Sequence, residues 1–159
     1  MTETRTGFGY DAHRFGGEGP VRLGGVVIDH SSGVIGTSDA DVAAHAVCDA
    51  LLGAVAAGDL GSHFPSSDPQ WSGADSLDLL RTCTEMVAAA GFSVGFVDVT
   101  VVVQSVRVAP HREAMRTNLA DAMGVAVDKV SVKGTTTDGL GWIGSDAGLA
   151  AQAVATVHR

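Results

Sequence analysis

The chain has 159 residues, 45% hydrophobic but only 5% aromatic, with 21 glycines and a formal net charge of -8 at pH 7. That length suits one domain, expected over residues 1–159, and the acidic balance excludes a general affinity for nucleic acid or an anionic membrane. No apolar run reaches the roughly 18 residues of a membrane span, and "MTETRTGFGY" lacks a signal peptide's basic-then-apolar pattern, so a soluble, cytoplasmic protein is expected.

"RTGFGYDAHRF" reads as an extended first strand, and "VRLGGVVID" as a hairpin of short strands, from β-branched content and glycine punctuation. Residues i and i+2 of a strand share a face, so Asp11 and His13 point at one object, their α-carbons about 7 Å apart. They are candidate metal ligands; the alternative is an Asp and a His that only hydrogen-bond the backbone at a strand end. "DVAAHAVCDALLGAVAAG", Asp41 to Gly58, reads as a helix, with Ser38, Asp39 and Asp41 as cap candidates and Gly58 as its stop. His45, in its first turns, is the natural third ligand. Asp plus two His leaves an open position on a tetrahedral zinc, which a catalytic metal requires. Asp49, one turn later, is the candidate to accept the other imidazole N–H from behind the ligands. Cys48 and Cys83 fall in helical segments and read as small buried apolar residues, not as a disulfide framework.

"DLGSHFPSSDPQWSG" is longer than an idle connection needs, which points to a working loop. A second helix is expected from Ala74 to Ala90, ended by Gly91. "VGFVDVTVVVQ" is the clearest strand, and Pro110 opens a third helix, "PHREAMRTNLADAMG". "KVSVKGTTT" reads as a strand, while "GLAAQAVATVH" fits a strand or a helix. In "VKGTTTDGLG", Thr135, Thr136 and Thr137 could hold phosphate oxygens and Asp138 a hard cation such as magnesium; a plain threonine-rich turn is the alternative. "QSVRVAPHR" sets Arg107 between valines in an apolar loop able to wrap a ring. The alternation, with two helices in succession, predicts an α+β fold: a two-layer sandwich of a mixed β-sheet with helices on one face. The bare, valine-rich sheet face then needs cover, most simply from further copies of the chain.

Taken together, "GYDAHRF", "LGG", "SDADVAAHAVCDALLGAVAAGDLGSHFP", "DP", "GADS", "VDVTVVVQ", "PH" and "VKGTTTDGLG", in that order and nearly end to end, resemble the 2-C-methyl-D-erythritol 2,4-cyclodiphosphate synthase family of non-mevalonate isoprenoid biosynthesis. The resemblance implies a homotrimer assembled through the sheets, with active sites between subunits. The implied reaction is a metal-dependent intramolecular phosphoryl transfer, formally a phosphorus–oxygen lyase, that expels CMP from a cytidine diphosphate substrate. Zinc on Asp11, His13 and His45 is implied, with magnesium or manganese joining the substrate diphosphate at Asp138. Asp59, Leu60 and Gly61 would meet the methylerythritol hydroxyls, with Ser38 and the run Phe64, Pro65, Ser66, Ser67 and Asp68 beside them. Val103, Gln104, Ser105, Val106, Arg107, Val108 and Ala109 would form the cytidine pocket. Thr135, Thr136 and Thr137 would face the diphosphate, Thr136 with a catalytic role, and Trp142 would adjoin the substrate.

The chain also departs from the family pattern. Thr37 stands where a histidine linked to transition-state stabilisation is usual, and threonine cannot carry positive charge. "GSDAG" replaces the usual G-R-G-E-G, so Ser145 stands for an arginine that binds phosphate or an anion in the trimer cavity. Asp138 replaces the more usual Glu, and Arg107 the usual Lys. An active synthase is the expected function; the alternative is a non-catalytic, cytidine-nucleotide-binding paralogue.

Overall fold

The computed structural model describes residues 2–159; Met1, included in the domain expectation, lies outside them. The first strand, β1 (Thr4–Glu18), runs antiparallel to the last, β7 (Gly148–His158), and together they form the middle of a five-stranded sheet. The order is β4 (Ser32–Val34), β1, β7, β5 (Ser93–Val102) and β6 (Val130–Thr135). Only β5 and β6 pair in parallel, so the sheet is mixed, as expected. The alanine-rich β7 is a strand because it is paired on both edges, and that pairing overrides alanine's helical preference. The hairpin of β2 (Val21–Leu23) and β3 (Val26–Ile28) forms its own small sheet.

Helix α1 (Val42–Ala54) packs on β1 and β7, α3 (Ser76–Ala89) on α1, and α4 (Arg112–Met123) on α3 and β6. The core between the layers is aliphatic, built from residues such as Leu51, Leu52, Val97, Val99, Leu119 and Leu149. Among the described residues, no helix is long and apolar enough to cross a membrane. Three short elements were not anticipated: β4, α2 (Leu60–His63) and α5 (Gly141–Gly144). Helix α1 also ends at Ala54, not at Gly58, because Val55 caps it and Ala56 already turns the chain with a φ of 56°.

Asp41 fixes where α1 begins. Its buried carboxylate accepts from the N–H groups of Ala43 and Ala44 inside the helix and from Gly24 (2.9 Å) and Gly25 (2.7 Å) in the β2–β3 turn. Burial pushes this carboxyl's pKa up, and the converging N–H groups oppose the shift. One side chain thereby joins the hairpin to the helix, filling donors that would otherwise be orphaned.

The other face of the sheet carries no helix. Phe8, Tyr10, Phe96 and Val154 stand out from it, between 41% and 61% exposed, with Phe8 directly opposite Val154. The face beneath α1 is the reverse, since Gly7 and Gly9 leave no side chain there. A Cβ on Gly9 would sit 1.9 Å from the Ala46 carbonyl oxygen, and one on Gly7 the same distance from that of Ala50. Gly9→Ala is therefore expected to destabilise the fold by at least about 3 kcal/mol, because backbone rather than a flexible side chain would have to move. Gly53→Ala, inside α1 with nothing closer than 4.0 Å, should be neutral or gain up to about 1 kcal/mol. Urea unfolding midpoints of the two variants, at unchanged m, check both.

Candidate metal centre and adjoining pockets

The 7, 9, 11, 13 face of β1 carries glycine, glycine, Asp11 and His13 in turn, and α1 lies across it. Asp11 Oδ2 is 3.0 Å from both His13 Nε2 and His45 Nδ1. All three ligand atoms fall within 4.8 Å of one another.

The partners behind each ring settle which nitrogen carries a proton. His13 Nδ1 lies 2.9 Å from the Ile35 carbonyl oxygen, which only accepts, so Nδ1 holds the proton and Nε2 presents a lone pair. That Nε2 is buried and, although close to Asp11, is not aligned with any hydrogen-bond partner. Behind His45, Nε2 meets Ser76 Oγ at 2.8 Å and Ser38 Oγ at 3.1 Å, while the Ser76 hydroxyl donates to Asp39. With the Ser76 proton committed to a carboxylate, His45 donates from Nε2 and its Nδ1 is the lone pair.

Two imidazole nitrogens and a carboxylate therefore converge, an arrangement that is repulsive unless a metal cation or a proton sits among them. The donor set, one carboxylate and two imidazoles, suits a divalent transition metal. Asp11 answers to the same field: burial alone would raise its pKa, but the flanking His13 and His45 hold it well below the ordinary carboxylate range. The Asp11 carboxylate in turn raises the pKa of His13, against the opposing effect of burial.

Asp49 does not take the position expected for it. Its Oδ1 accepts from the Leu60 N–H at 2.7 Å, tying α1 to α2, while the second nitrogen of His45 goes to Ser76 and Ser38. The residues that orient the ligands are instead Ser76, Asp39 and the Ile35 carbonyl. Cys48 and Cys83 are free and buried in the core, away from the trio.

The Asp–His–His cluster opens into a pocket lined also by Thr37, Ser38, Leu60, Phe64, Ser66, Trp71 and Leu79. Phe64 meets Trp71 edge to face at 4.9 Å, and the Trp71 indole N–H, buried and without a partner, is a donor that no sequence motif announced. Gly61, Pro65, Ser67, Asp59 and Asp68 are not among the lining residues. Asp59 and Asp68 cap short helical turns instead, Asp59 accepting from Ser62.

A second pocket lies at the ends of β5 and β6. Val103, Gln104, Val106, Arg107, Val108, Ala109, Thr135 and Thr136 line it, joined by Arg112. Gly134 permits the closeness, since a Cβ there would fall 2.7 Å from that of Val108. Ser105 and Thr137 are not part of the lining; the Thr137 hydroxyl donates to the Leu140 carbonyl. Asp138, at a φ of 52°, is exposed beside Thr136 and is not part of the Asp–His–His cluster. Trp142 borders a third cavity with His13 and Arg14, and the exposed Ser145 donates to the Trp142 carbonyl.

A helix-backed mixed sheet with an open Asp–His–His cluster defines a small α+β protein with a group able to hold a metal ion at the mouth of a pocket. The chain belongs to the YgbB family, whose model matches residues 4–158. It is 52% identical over 158 residues to the 2-C-methyl-D-erythritol 2,4-cyclodiphosphate synthase of Thioalkalivibrio sulfidiphilus, covering 99% of each chain. Among solved structures, the bifunctional IspDF from Campylobacter jejuni superposes with a TM-score of 0.96 at 35% identity, over 99% of this chain and 43% of that longer one. IspF from Plasmodium falciparum, in a CDP complex, gives a TM-score of 0.85 at 28% identity, over 97% and 95% of the two chains.

Ser76→Ala, which leaves all three ligands in place, is expected to weaken metal binding by about 10–100-fold, as losing a ligand-orienting partner does. His45→Ala should abolish stoichiometric binding while the far-ultraviolet circular dichroism stays native. Competition with a chromogenic chelator and elemental analysis measure the two effects.

Proposed function

We propose that this chain, as a single catalytic domain over residues 1–159, converts 4-diphosphocytidyl-2-C-methyl-D-erythritol 2-phosphate to 2-C-methyl-D-erythritol 2,4-cyclodiphosphate and CMP. The observation that carries the reading is the convergence of Asp11, His13 and His45 ligand atoms within 4.8 Å of one another, in a chain that matches a cyclodiphosphate synthase over 99% of its length. An intact open ligand set also argues against a merely binding paralogue, which has little use for one. The cytoplasm is the proposed location.

In the reaction an oxygen of the 2-phosphate bonds to the β-phosphorus. The bond from that phosphorus to the oxygen bridging the α-phosphate breaks, and its electron pair leaves on CMP. A phosphate is already an adequate nucleophile, so positioning and charge neutralisation do the catalysis. Zinc on Asp11, His13 and His45, with magnesium or manganese at Asp138, would supply Lewis-acid neutralisation of the phosphate oxygens.

The chain's own groups do the rest. The loop Val103–Ala109 encloses the cytosine ring, and Arg107 and Arg112 bring positive charge to the same pocket. Thr135 and Thr136 donate to the diphosphate. Thr37 and Ser38 offer hydroxyl donors beside the metal cluster, while Phe64 and Trp71 exclude water from it. Asp59 and Gly61, on either side of the pocket-lining Leu60, meet the methylerythritol hydroxyls.

The metal pocket and the nucleotide pocket share no lining residue, and β7 separates the strands that bear them. That separation, with the exposed Phe8, Tyr10, Phe96 and Val154, supports a homotrimer in which one subunit's metal faces the next subunit's nucleotide. Sedimentation equilibrium is expected to give the mass of three 16.1 kDa chains.

Purified protein with zinc and magnesium should release CMP and form the cyclic diphosphate, followed by chromatography and phosphorus NMR. Chelation should abolish turnover and zinc restore it; absence of turnover with metal bound overturns the reading. Thr37→His is expected to raise turnover on the order of tenfold, by replacing a neutral donor with one able to carry charge.

A further inference from the structure

A polar chain at the rim of the nucleotide pocket joins three segments that the sequence holds far apart. Ser105 donates its hydroxyl proton to Asp146 Oδ1 at 2.7 Å, and its oxygen lies 2.9 Å from His30 Nε2. That single hydroxyl thus stands between a carboxylate on one side and an imidazole nitrogen on the other. The His30 ring is pinned on its other side too. Its Nδ1 meets the backbone of Ser32, 2.7 Å from the carbonyl oxygen and 3.1 Å from the nitrogen, and the ring stacks on Phe15 with centroids 5.0 Å apart.

Asp146 occupies this position at a steric cost. Its φ is 60°, in the left-handed region where glycine sits freely and a side chain is disfavoured. What the aspartate adds over glycine is the acceptor that ends the relay.

The relay acts on the loop that lines the nucleotide pocket. Gln104 and Val106 face into that pocket, while Ser105 between them is spent on Asp146 and His30. On its other flank the same loop is held by the Val103 N–H to the Thr135 carbonyl (3.0 Å) and by Gln104 Oε1, which accepts from Gly139 (3.3 Å). Between these ties and the 3₁₀ turn at Ala109–His111, the Ser105 bonds are the side-chain anchor. Hydrogen bonds to a base edge work over only a few tenths of an ångström, so a drifting loop loses them.

We propose that His30, Ser105 and Asp146 form a positioning relay that fixes the Val103–Ala109 loop for reading the polar edge of a pyrimidine nucleotide. The proposal rests on the reading of this pocket as a cytidine site. The three residues act through the loop backbone and not on the reacting atoms.

The test is calorimetric titration of the full, zinc-loaded protein with CMP, for the native chain and for Asp146→Gly, Asp146→Asn and Ser105→Ala. Asp146→Gly should raise the dissociation constant about tenfold, the worth of one charge-assisted hydrogen bond. Its thermal midpoint should hold or rise, because glycine relieves the backbone. Ser105→Ala, which cuts the relay at its centre, should weaken CMP to a similar extent. Asp146→Asn keeps an acceptor oxygen and tolerates the same φ, so it should restore affinity to within about threefold of native. A merely structural role would lower the thermal midpoint and leave CMP affinity of the folded protein intact, and that result overturns the relay. Native protein that binds no CMP overturns the cytidine reading and the relay with it. Native binding that Asp146→Gly leaves unchanged overturns the relay alone.

Discussion

The close approach of α1 to β1 is the constraint from which the rest of the metal centre follows. Gly9 meets Ala46 and Gly7 meets Ala50, so β1 and α1 run in opposite directions with two strand residues matched to four helix residues. The two spacings are commensurate, about 6.6 Å for two strand residues and about 6.0 Å for four helical ones. Two residues further along β1 the same register brings Asp11 opposite the first turn of α1, where His45 stands. A side chain at position 7 or 9 would lift the helix from the sheet and separate Asp11 from His45, although neither glycine touches the site.

That register needs an end stop, and Asp41 provides it. Four backbone N–H groups, two from the helix and two from the Gly24–Gly25 turn, fix the first residue of α1 against the hairpin. Four residues on, His45 is held from behind by Ser76, and Ser76 by Asp39, whose other oxygen accepts the Ser76 N–H at 3.0 Å. Asp39 thus ties the start of α3 to the loop before α1 and fixes the His45 tautomer in the same contact. Stability and metal-binding competence are coupled here, because the bonds that close the loop are those that orient the ligand.

What could be read from sequence depended on how local the governing interaction was. Alternation along "GYDAHRF" placed Asp11 and His13 on one face because that is a property of any strand, and Asp41 read as a cap because capping spans three residues. The termination of α1 was misplaced because Ala56, not Gly58, takes the first left-handed conformation. Asp49 has the right helical spacing from His45, but spacing does not reveal that the Leu60 N–H claims its carboxylate first. Ser76 lies 31 residues from His45 and belongs to no motif, so only the folded chain joins them. The same holds for β4, three residues long and defined by its pairing with β1.

The two pockets differ in construction. The metal ligands stand on a strand and a helix in direct contact, each ring locked by a bond on its far side, so little rearrangement is left to them. The second pocket is built at the ends of β5 and β6, where Arg107 and Thr136 reach its surface from irregular backbone and Thr135 from the last position of β6. Rigid placement suits a cation whose ligand geometry sets its acidity, whereas loops let backbone groups approach the edges of a flat ring. Loops so used must be stiffened by side chains, since no sheet or helix does it for them. The Gln104 bond to Gly139 and the Ser105 bond to Asp146 stand on either side of that loop for this physical reason.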